Sequence, residues 1–188
     1  MPNNYLSSPL IFLIDILFSI YITIIALRLV TQWAQWEHHH PLVQLIIKTT
    51  QTPVKLLRRF FPSFGKWDSA TIILLFFLTF IKLFLINSLQ DTSYNQGFFI
   101  GWLMADVLTL FITLFTFSIL IEVFLSWIIP PHTQNHITPL IRSMNEPLLR
   151  PIRQKLPSMN GLDLSPLIVV LGLEVSSMLI IPILLVTF

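Results

Sequence analysis

Apolar residues form four long blocks along the chain, separated by polar segments. The blocks lie near residues 9–32, 69–89, 98–129 and 165–188. A helix needs roughly 20 apolar residues to cross about 30 Å of bilayer hydrocarbon, and each block reaches that length. The pattern therefore predicts an all-α membrane protein with four transmembrane helices.

The first and last polar segments, 41–61 and 136–156, repeat apolar residues at intervals of three and four, which is the spacing of one helix face. Cations take other positions: Lys48, Lys55, Arg58 and Arg59 in the first segment, and Arg142, Arg150 and Arg153 in the second. This layout is typical of an amphipathic helix in the membrane interface, with its cations toward anionic headgroups.

The two basic segments, "TPVKLLRRFFPSFGKWDS" and "EPLLRPIRQKLPSMNGLDLS", resemble each other. At a displacement of 94 residues, and of 95 after one inserted residue, the matches include Trp33 with Trp127, Pro53 with Pro147, Arg59 with Arg153, Pro62 with Pro157, and Asp68 with Asp163. We interpret this as an internal duplication. Residues 1–90 and 91–188 would each be span, basic helix, span, and two spans per copy make the copies parallel.

The repeated prolines and aspartates predict breaks in the helices. Proline disrupts a helix interior but suits a first helical position, so Pro53 and Pro147 are expected to begin second short helices. Asp68 and Asp163 precede spans, where a carboxylate stabilises a helix N-terminus. We expect both to act as structural caps.

Composition and charge support a membrane setting. Of 188 residues, 54% are hydrophobic and 11% are charged, against about 25% charged in soluble domains. Nine of the eleven Lys and Arg residues lie between the first and second spans or between the third and fourth. Because Lys- and Arg-rich loops stay cytoplasmic, both basic segments are predicted to be cytoplasmic and both termini to lie on the other side. A simpler alternative is that the cations only fix this topology.

Candidate chemistry for catalysis or metal binding is weak. The chain has no cysteine, which excludes disulfides, thiolate metal sites and a cysteine nucleophile. It contains no P-loop, dinucleotide-binding, zinc-protease or serine-hydrolase motif. The histidines of "EHHHP" are successive and point in different directions, unlike the ligands of an organised zinc site. We expect no enzyme, no metal site and no cofactor.

Four ionisable residues stand out inside the spans: Arg28, Glu122, Lys82 and Glu174. Each costs about 2.5–3.5 kcal/mol near a bilayer centre on insertion scales, so each should have a partner or a cavity. We expect Lys82 to pair with Glu174 across the repeats. Such a pair would be one of the salt bridges that dock the two repeats. The other interpretations of these charges are an ion or proton path, and lipid-facing side chains that snorkel to the interface.

The cations expected to bind lipid or a protein partner are Lys55, Arg58, Arg59, Arg150 and Arg153. Within this set, Arg59 and Arg153 are expected to turn inward to the capping aspartates. Lys55, Arg58 and Arg150 would then face outward.

Small residues recur every four positions at the start of the third span, at Gly97, Gly101 and Ala105. Such a face allows close helix approach. It would serve either packing inside the monomer or a homo-oligomer.

The stretches "LRLVTQWAQWEHHHPLVQLIIKTTQTPVKLLRRFFPSFGKWDS" and "EPLLRPIRQKLPSMNGLDLSP" resemble the two signature halves of the YggT family, also called YlmG. The resemblance covers residues 27–82 and 121–170, and it implies an inner-membrane protein without established catalysis. Members of the family have been linked to osmotic-stress tolerance, to cell division and nucleoid or plastid organisation, and to haem attachment on a plastid cytochrome b. The family has asparagine-proline where this chain has His40-Pro41.

Two functions follow from these observations. The first is a non-catalytic scaffold or assembly factor that presents paired basic helices to anionic lipid or to an envelope or division protein. The second is a small conduit or transport accessory that moves ions or protons through the buried charges. The peripheral position of the duplicated motif favours the first.

Overall fold

The structure, a computed structural model, describes residues 4–36, 40–61, 68–89, 99–128, 137–156 and 163–187. These residues form six α-helices and no strand. They are α1 (Asn4–Trp33), α2 (Pro41–Arg58), α3 (Ser69–Leu89), α4 (Phe99–Ile128), α5 (Ile137–Arg153) and α6 (Ser165–Thr187).

Four of the helices are long and apolar enough to cross a membrane. The segments that qualify are Ser8–Trp33, Ser69–Leu89, Phe99–Ile128 and Ser165–Val186, so the prediction of an all-α protein with four apolar spans is confirmed. The short helices α2 and α5 fall within the two segments predicted to be interfacial.

By its internal packing the chain forms two compact units. The first comprises Met1–Val107 with Ile183–Phe188, and the second comprises Leu108–Pro182. The division falls within α4, whereas the repeat boundary expected from the sequence falls at residue 90. That boundary concerns duplication rather than packing and stays a prediction.

In the first unit α1, α2 and α3 pack against one another. Each contributes fully buried apolar side chains, such as Ile25 of α1, Val54 of α2 and Leu75 of α3. The second unit has a core of the same kind, in which Ile119 of α4 and Leu149 of α5 cluster with a side chain of α6.

A tight backbone motif ends α1 just after Trp33. Gln35 adopts a positive φ of 51°. The Trp36 N–H donates to the Thr31 carbonyl at 3.0 Å and the Gln35 N–H donates to the Gln32 carbonyl at 3.4 Å, which is the Schellman arrangement. His40 then caps α2, because its Nδ1 accepts from the Leu42 N–H at 3.3 Å.

The expected helix breaks at Pro53 and Pro147 are wrong. α2 continues through Pro53, and α5 continues through Pro147 and Pro151. Proline deprives the carbonyl four residues earlier of its helical donor. For Pro53 that carbonyl belongs to Thr49, and the Tyr21 hydroxyl of α1 donates to it at 3.5 Å. Packing against α1 thus offsets part of the cost of an interior proline. Pro62 and Pro157 lie outside the described residues.

Candidate functional site

A network of polar side chains connects α2 to both spans of the first unit. We call it the first polar cluster, and it consists of Arg28, Thr50, Arg58, Asp68 and Thr71. Arg28 comes from α1, Thr50 and Arg58 come from α2, and Asp68 and Thr71 lie at the start of α3. All but Arg58 are buried.

Asp68 is the centre of the first polar cluster. Arg58 holds its carboxylate with two contacts, Nε to Oδ1 at 3.3 Å and Nη2 to Oδ2 at 2.5 Å. The Thr71 hydroxyl donates to Oδ2 at 2.8 Å, and Arg28 Nη2 lies 3.8 Å from the same oxygen. The Asp68 carbonyl also accepts from the Thr71 N–H at the first turn of α3. Asp68 therefore connects the end of α2, through Arg58, to the first turn of α3, through Thr71.

Arg28 extends the cluster into α2. Its Nη1 donates to the Thr50 hydroxyl at 2.8 Å, and that hydroxyl donates to the Ile46 carbonyl at 2.6 Å. An arginine near the end of a span thus has a carboxylate and a hydroxyl as partners, as intramembrane charges require. The arrangement fixes the rotation of α2 about its own axis.

The second unit contains an analogous network, the second polar cluster, made of Glu122, Asn145, Glu146, Arg153 and Asp163. Arg153 Nε donates to Asp163 Oδ2 at 2.8 Å, and its terminal nitrogens contact Glu122 at 3.4 Å and Glu146 at 3.2 Å. Asn145 Nδ2 donates to Glu122 Oε2 at 2.8 Å. As in the first unit, an arginine near the end of the short helix holds it to the flanking spans.

The two polar clusters differ in charge. In the first, the guanidinium groups of Arg28 and Arg58 face one carboxylate. In the second, the guanidinium group of Arg153 faces three carboxylates. The first cluster therefore carries a surplus of positive charge and the second a surplus of negative charge.

The same geometry shifts the pKa values of the aspartates and arginines outside the spans. Burial would raise the pKa of Asp68, but hydrogen bonds from Arg58 and Thr71 and the nearby cations outweigh it and lower that pKa. The pKa of Asp163 is likewise lowered, because hydrogen bonds from Ser165 and Arg153 outweigh its burial. The hydrogen bond to Asp68 raises the pKa of Arg58. Both aspartates are therefore ionised at neutral pH.

One expected pairing needs correction. Asp68 was expected to bind Arg59, but it binds Arg58, which was expected to face outward. Arg153 does contact Asp163, as expected. Arg58 follows the buried Val54 by four residues, one helical turn, so it lies on the packed side of α2. Arg59 lies about 100° further round and is exposed.

A third group of charges lies inside the spans of the first unit. Lys82 Nζ is 2.6 Å from Asp106 Oδ2 and 3.7 Å from Asp15 Oδ1. Asp15 Oδ1 also accepts from the Ser19 hydroxyl at 3.4 Å. Glu174, the expected partner of Lys82, is half-buried in the second unit. Their pairing stays a prediction, and neither aspartate was predicted from the sequence to be a partner of the lysine.

The remaining cations of the short helices are exposed, and no carboxylate of the described residues pairs with them. They are Lys48, Lys55, Arg59, Arg142, Arg150 and Lys155. Three of them lie on one side of α2, where Lys48, Lys55 and Arg59 line an open groove of about 530 Å³ together with Gln51, Thr52 and Leu56.

The other candidate positions can be placed in part. Gly101 and Ala105 are buried in the first unit, and Gly97 lies outside the described residues. His38 and His39 also lie outside them. In the described ranges no group of three or more His, Cys, Asp or Glu side chains has the arrangement of a metal site.

Comparison with known proteins identifies the family. The family model described as CCB3/YggT matches residues 7–89 and again residues 101–184. Uncharacterized protein PA0392 of Pseudomonas aeruginosa is 35% identical over 180 residues, covering 94% of this chain and 90% of that protein. YggT of Escherichia coli is 32% identical over 171 residues, covering 91% and 88%.

A protein in the proC 3′ region of Vibrio alginolyticus is 34% identical over 171 residues, covering 89% of this chain and 91% of its own length. The names of these relatives state no enzymatic activity. No solved structure matches the chain. The resemblance seen in the two signature stretches is thus confirmed, and the chain belongs to the CCB3/YggT family.

Proposed function

We propose that this protein is a non-catalytic scaffold of the bacterial inner membrane, which presents the basic faces of α2 and α5 to an anionic lipid surface or to an acidic partner protein. The observation that carries the proposal is that the cations of the short helices fall into two groups, one paired with carboxylates and one exposed. Arg58 and Arg153 are bound by carboxylates. The other cations on or just after α2 and α5 are exposed and pair with no carboxylate of the described residues: Lys48, Lys55, Arg59, Arg142, Arg150 and Lys155.

The surface of α2 supports an interfacial position. One face, which includes Val43 and Thr50, is buried. A second face exposes apolar side chains, among them Leu45 and Leu56, which are 58% and 66% exposed. Lys55 lies on a third face. A helix held against two spans and bearing both an exposed apolar strip and a basic strip suits the boundary between acyl chains and headgroups.

The two family matches support a duplicated architecture with one such helix in each half. Ile119, Leu149 and Val169 form the core of the second unit. The residues 94 or 95 positions earlier, Ile25, Val54 and Leu74, are buried as well. We infer that both halves clamp their short helix in the same way, with parallel spans, and that both short helices are cytoplasmic.

The topology has a direct test. Single cysteines introduced at residues 94 and 143 should react with a membrane-impermeant reagent from opposite sides, and the native chain contributes no background because it has no cysteine. Labelling of both positions from one side would contradict the proposed orientation.

The scaffold role is tested by replacing all six unpaired cations with glutamine. Because these side chains are exposed, the variant should melt as the wild type does, and labelling of cysteines at residues 94 and 143 checks that its orientation in the membrane is kept. It should lose co-purifying anionic lipid or crosslinked partners, and it should fail to restore growth of a deletion strain under osmotic stress. Full restoration with unchanged lipids and partners would refute the proposal.

A conduit for protons or ions is the second candidate, favoured by the cluster of Lys82, Asp15 and Asp106. Two carboxylates around one ammonium leave an excess negative charge inside the spans, which a proton or cation would compensate. Liposomes containing the purified protein should then show flux that Asp106→Asn reduces. Flux no greater than that of empty liposomes would exclude this role.

A further inference from the structure

The groove on α2 has the shape and chemistry of a binding site for an amphipathic anion. Its described lining, Lys48, Gln51, Thr52, Lys55, Leu56 and Arg59, supplies three cationic side chains, an amide, a hydroxyl and one apolar side chain. In contrast to Arg58, none of the three cations is in an ion pair with a described carboxylate. Three unpaired cations on one side of a helix attract a negatively charged partner from outside the described chain.

The cations fall into two groups along the helix. Lys48 is followed within one turn by Gln51 and Thr52, and Lys55 is followed one turn later by Arg59. Lys48 and Arg59 are eleven residues apart, about 16 Å along a helix axis. One phosphate would contact one group only, whereas a headgroup with two phosphates could contact both.

The apolar strip beside the groove determines what kind of anion fits. Leu56 lines the groove and is also 66% exposed. Leu45 is also exposed, and its position lies within about 20° of Leu56 around an ideal helix, so the two leucines share one apolar strip. A ligand that joins phosphates to long acyl chains would satisfy both surfaces, whereas a soluble phosphate would use only the basic one.

We propose that the α2 groove is a selective site for a phospholipid that carries two phosphates. This inference rests on the proposed function, because it specifies which class of lipid the basic face of α2 binds and which residues bind it. Lys48 with Gln51 and Thr52 binds one phosphate, Lys55 and Arg59 bind the other, and the acyl chains lie along the strip that contains Leu56.

The test compares two glutamine variants that lose equal charge. The groove variant carries Lys48→Gln, Lys55→Gln and Arg59→Gln. The control variant carries three changes to glutamine on or just after α5, at Arg142, Arg150 and Lys155. Each purified protein is equilibrated with cardiolipin, and separately with phosphatidylglycerol at equal total charge, and the retained lipid is counted by native mass spectrometry.

The wild type should retain cardiolipin in preference to charge-matched phosphatidylglycerol. At about 1 kcal/mol for each cation, the loss of three should weaken cardiolipin retention by more than tenfold. The control variant should keep the preference. Excess inorganic pyrophosphate should displace little cardiolipin, because it lacks acyl chains.

The opposing outcomes are distinct. Equal loss of preference in both variants, or no preference in the wild type, would overturn the groove as a selective site and leave general presentation of cations intact. Complete displacement by pyrophosphate would assign the groove to a soluble phosphate and overturn the lipid assignment. Retention of neither anionic lipid by the wild type would remove lipid as the target in the proposed function as well.

Discussion

Asp68→Asn should destabilise the protein more than any change to an exposed cation of α2. The Asp68 side chain is 4% exposed and its carboxylate faces two guanidinium groups. Asparagine keeps the volume of the side chain and removes the charge. Arg28, whose side chain is 7% exposed, is then left without a carboxylate among the described residues. Removing one partner of a buried pair typically costs about 3–5 kcal/mol, and we expect a loss of that size.

The structure separates this loss from the contribution of Arg58. The side chain of Arg58 is 49% exposed, so water screens its pair with Asp68. Exposed pairs contribute about 0–1 kcal/mol, and Arg58→Gln should therefore cost about 1 kcal/mol or less. Replacing both Arg28 and Asp68, by methionine and asparagine, should cost less than the two single changes together, because neither charge then remains buried alone.

The second unit provides a matched control for this substitution. Asp163 contacts Arg153 as Asp68 contacts Arg58, but the Asp163 side chain is 45% exposed and Arg153 keeps Glu122 and Glu146. Asp163→Asn should therefore cost about 1 kcal/mol or less. Equilibrium unfolding in mixed micelles, followed by circular dichroism, gives the free energies. If Asp68→Asn costs no more than Asp163→Asn, burial does not determine the strength of these pairs and the reasoning is refuted.

Three further outcomes can be measured in the same way. The lowered pKa of Asp68 means that its ionised carboxylate stabilises the fold fully above about pH 4, the pKa of an unfolded aspartate. This stabilisation is lost as the pH falls through the lowered native pKa. The melting temperature of the wild type should decline there, and that of Asp68→Asn should decline less. Asp106→Leu should destabilise more than the double change with Lys82→Met, since the single change leaves Lys82, whose side chain is 9% exposed, with only the looser contact to Asp15 at 3.7 Å among the described residues. Equal losses would contradict the pair of Lys82 and Asp106. Tyr21→Phe should cost about 0.5–1 kcal/mol by removing the donor to the Thr49 carbonyl, and an unchanged stability would show that this carbonyl needs no donor.

The spans were predictable from sequence because their signal is strong. A run of about 20 apolar residues with few charges is typical of a helix that crosses a bilayer, and the predicted span 69–89 has the same limits as α3. The basic segment 41–61 likewise contains α2. Hydrophobic spacing alone was enough to place both elements.

The proline prediction failed because propensity was overridden by packing. Sequence alone gives Pro53 the character of a helix start. It does not reveal that Val54 is buried and that Tyr21 reaches the carbonyl freed by the proline. Contacts with α1 hold α2 continuous across a residue that would weaken an isolated helix.

The composition of the polar clusters was only partly predictable. The aspartates were found through the repeat, and Arg153 was assigned to Asp163 on the same basis. Choosing between Arg58 and Arg59 required the rotation of α2, which depends on its buried face. Arg58 and Asp68 are both 95 positions from their equivalents in the second cluster, Arg153 and Asp163. The displacement between the two copies therefore changes from 94 to 95 residues before Arg58. Matching Arg59 with Arg153 places that change too late in the chain.

On the proposed function, α2 lies at the membrane surface with its apolar strip toward the acyl chains and its basic strip toward the headgroups. Spin labels on single cysteines at Leu45 and Gln51 test it most directly, because the two positions are about 120° apart on an ideal helix and both are exposed. In liposomes with anionic lipid, the label at 45 should be accessible to oxygen dissolved in the hydrocarbon and the label at 51 to an aqueous relaxation reagent. Equal aqueous accessibility at the two positions, or a deeper label at 51, would rule out this orientation of α2.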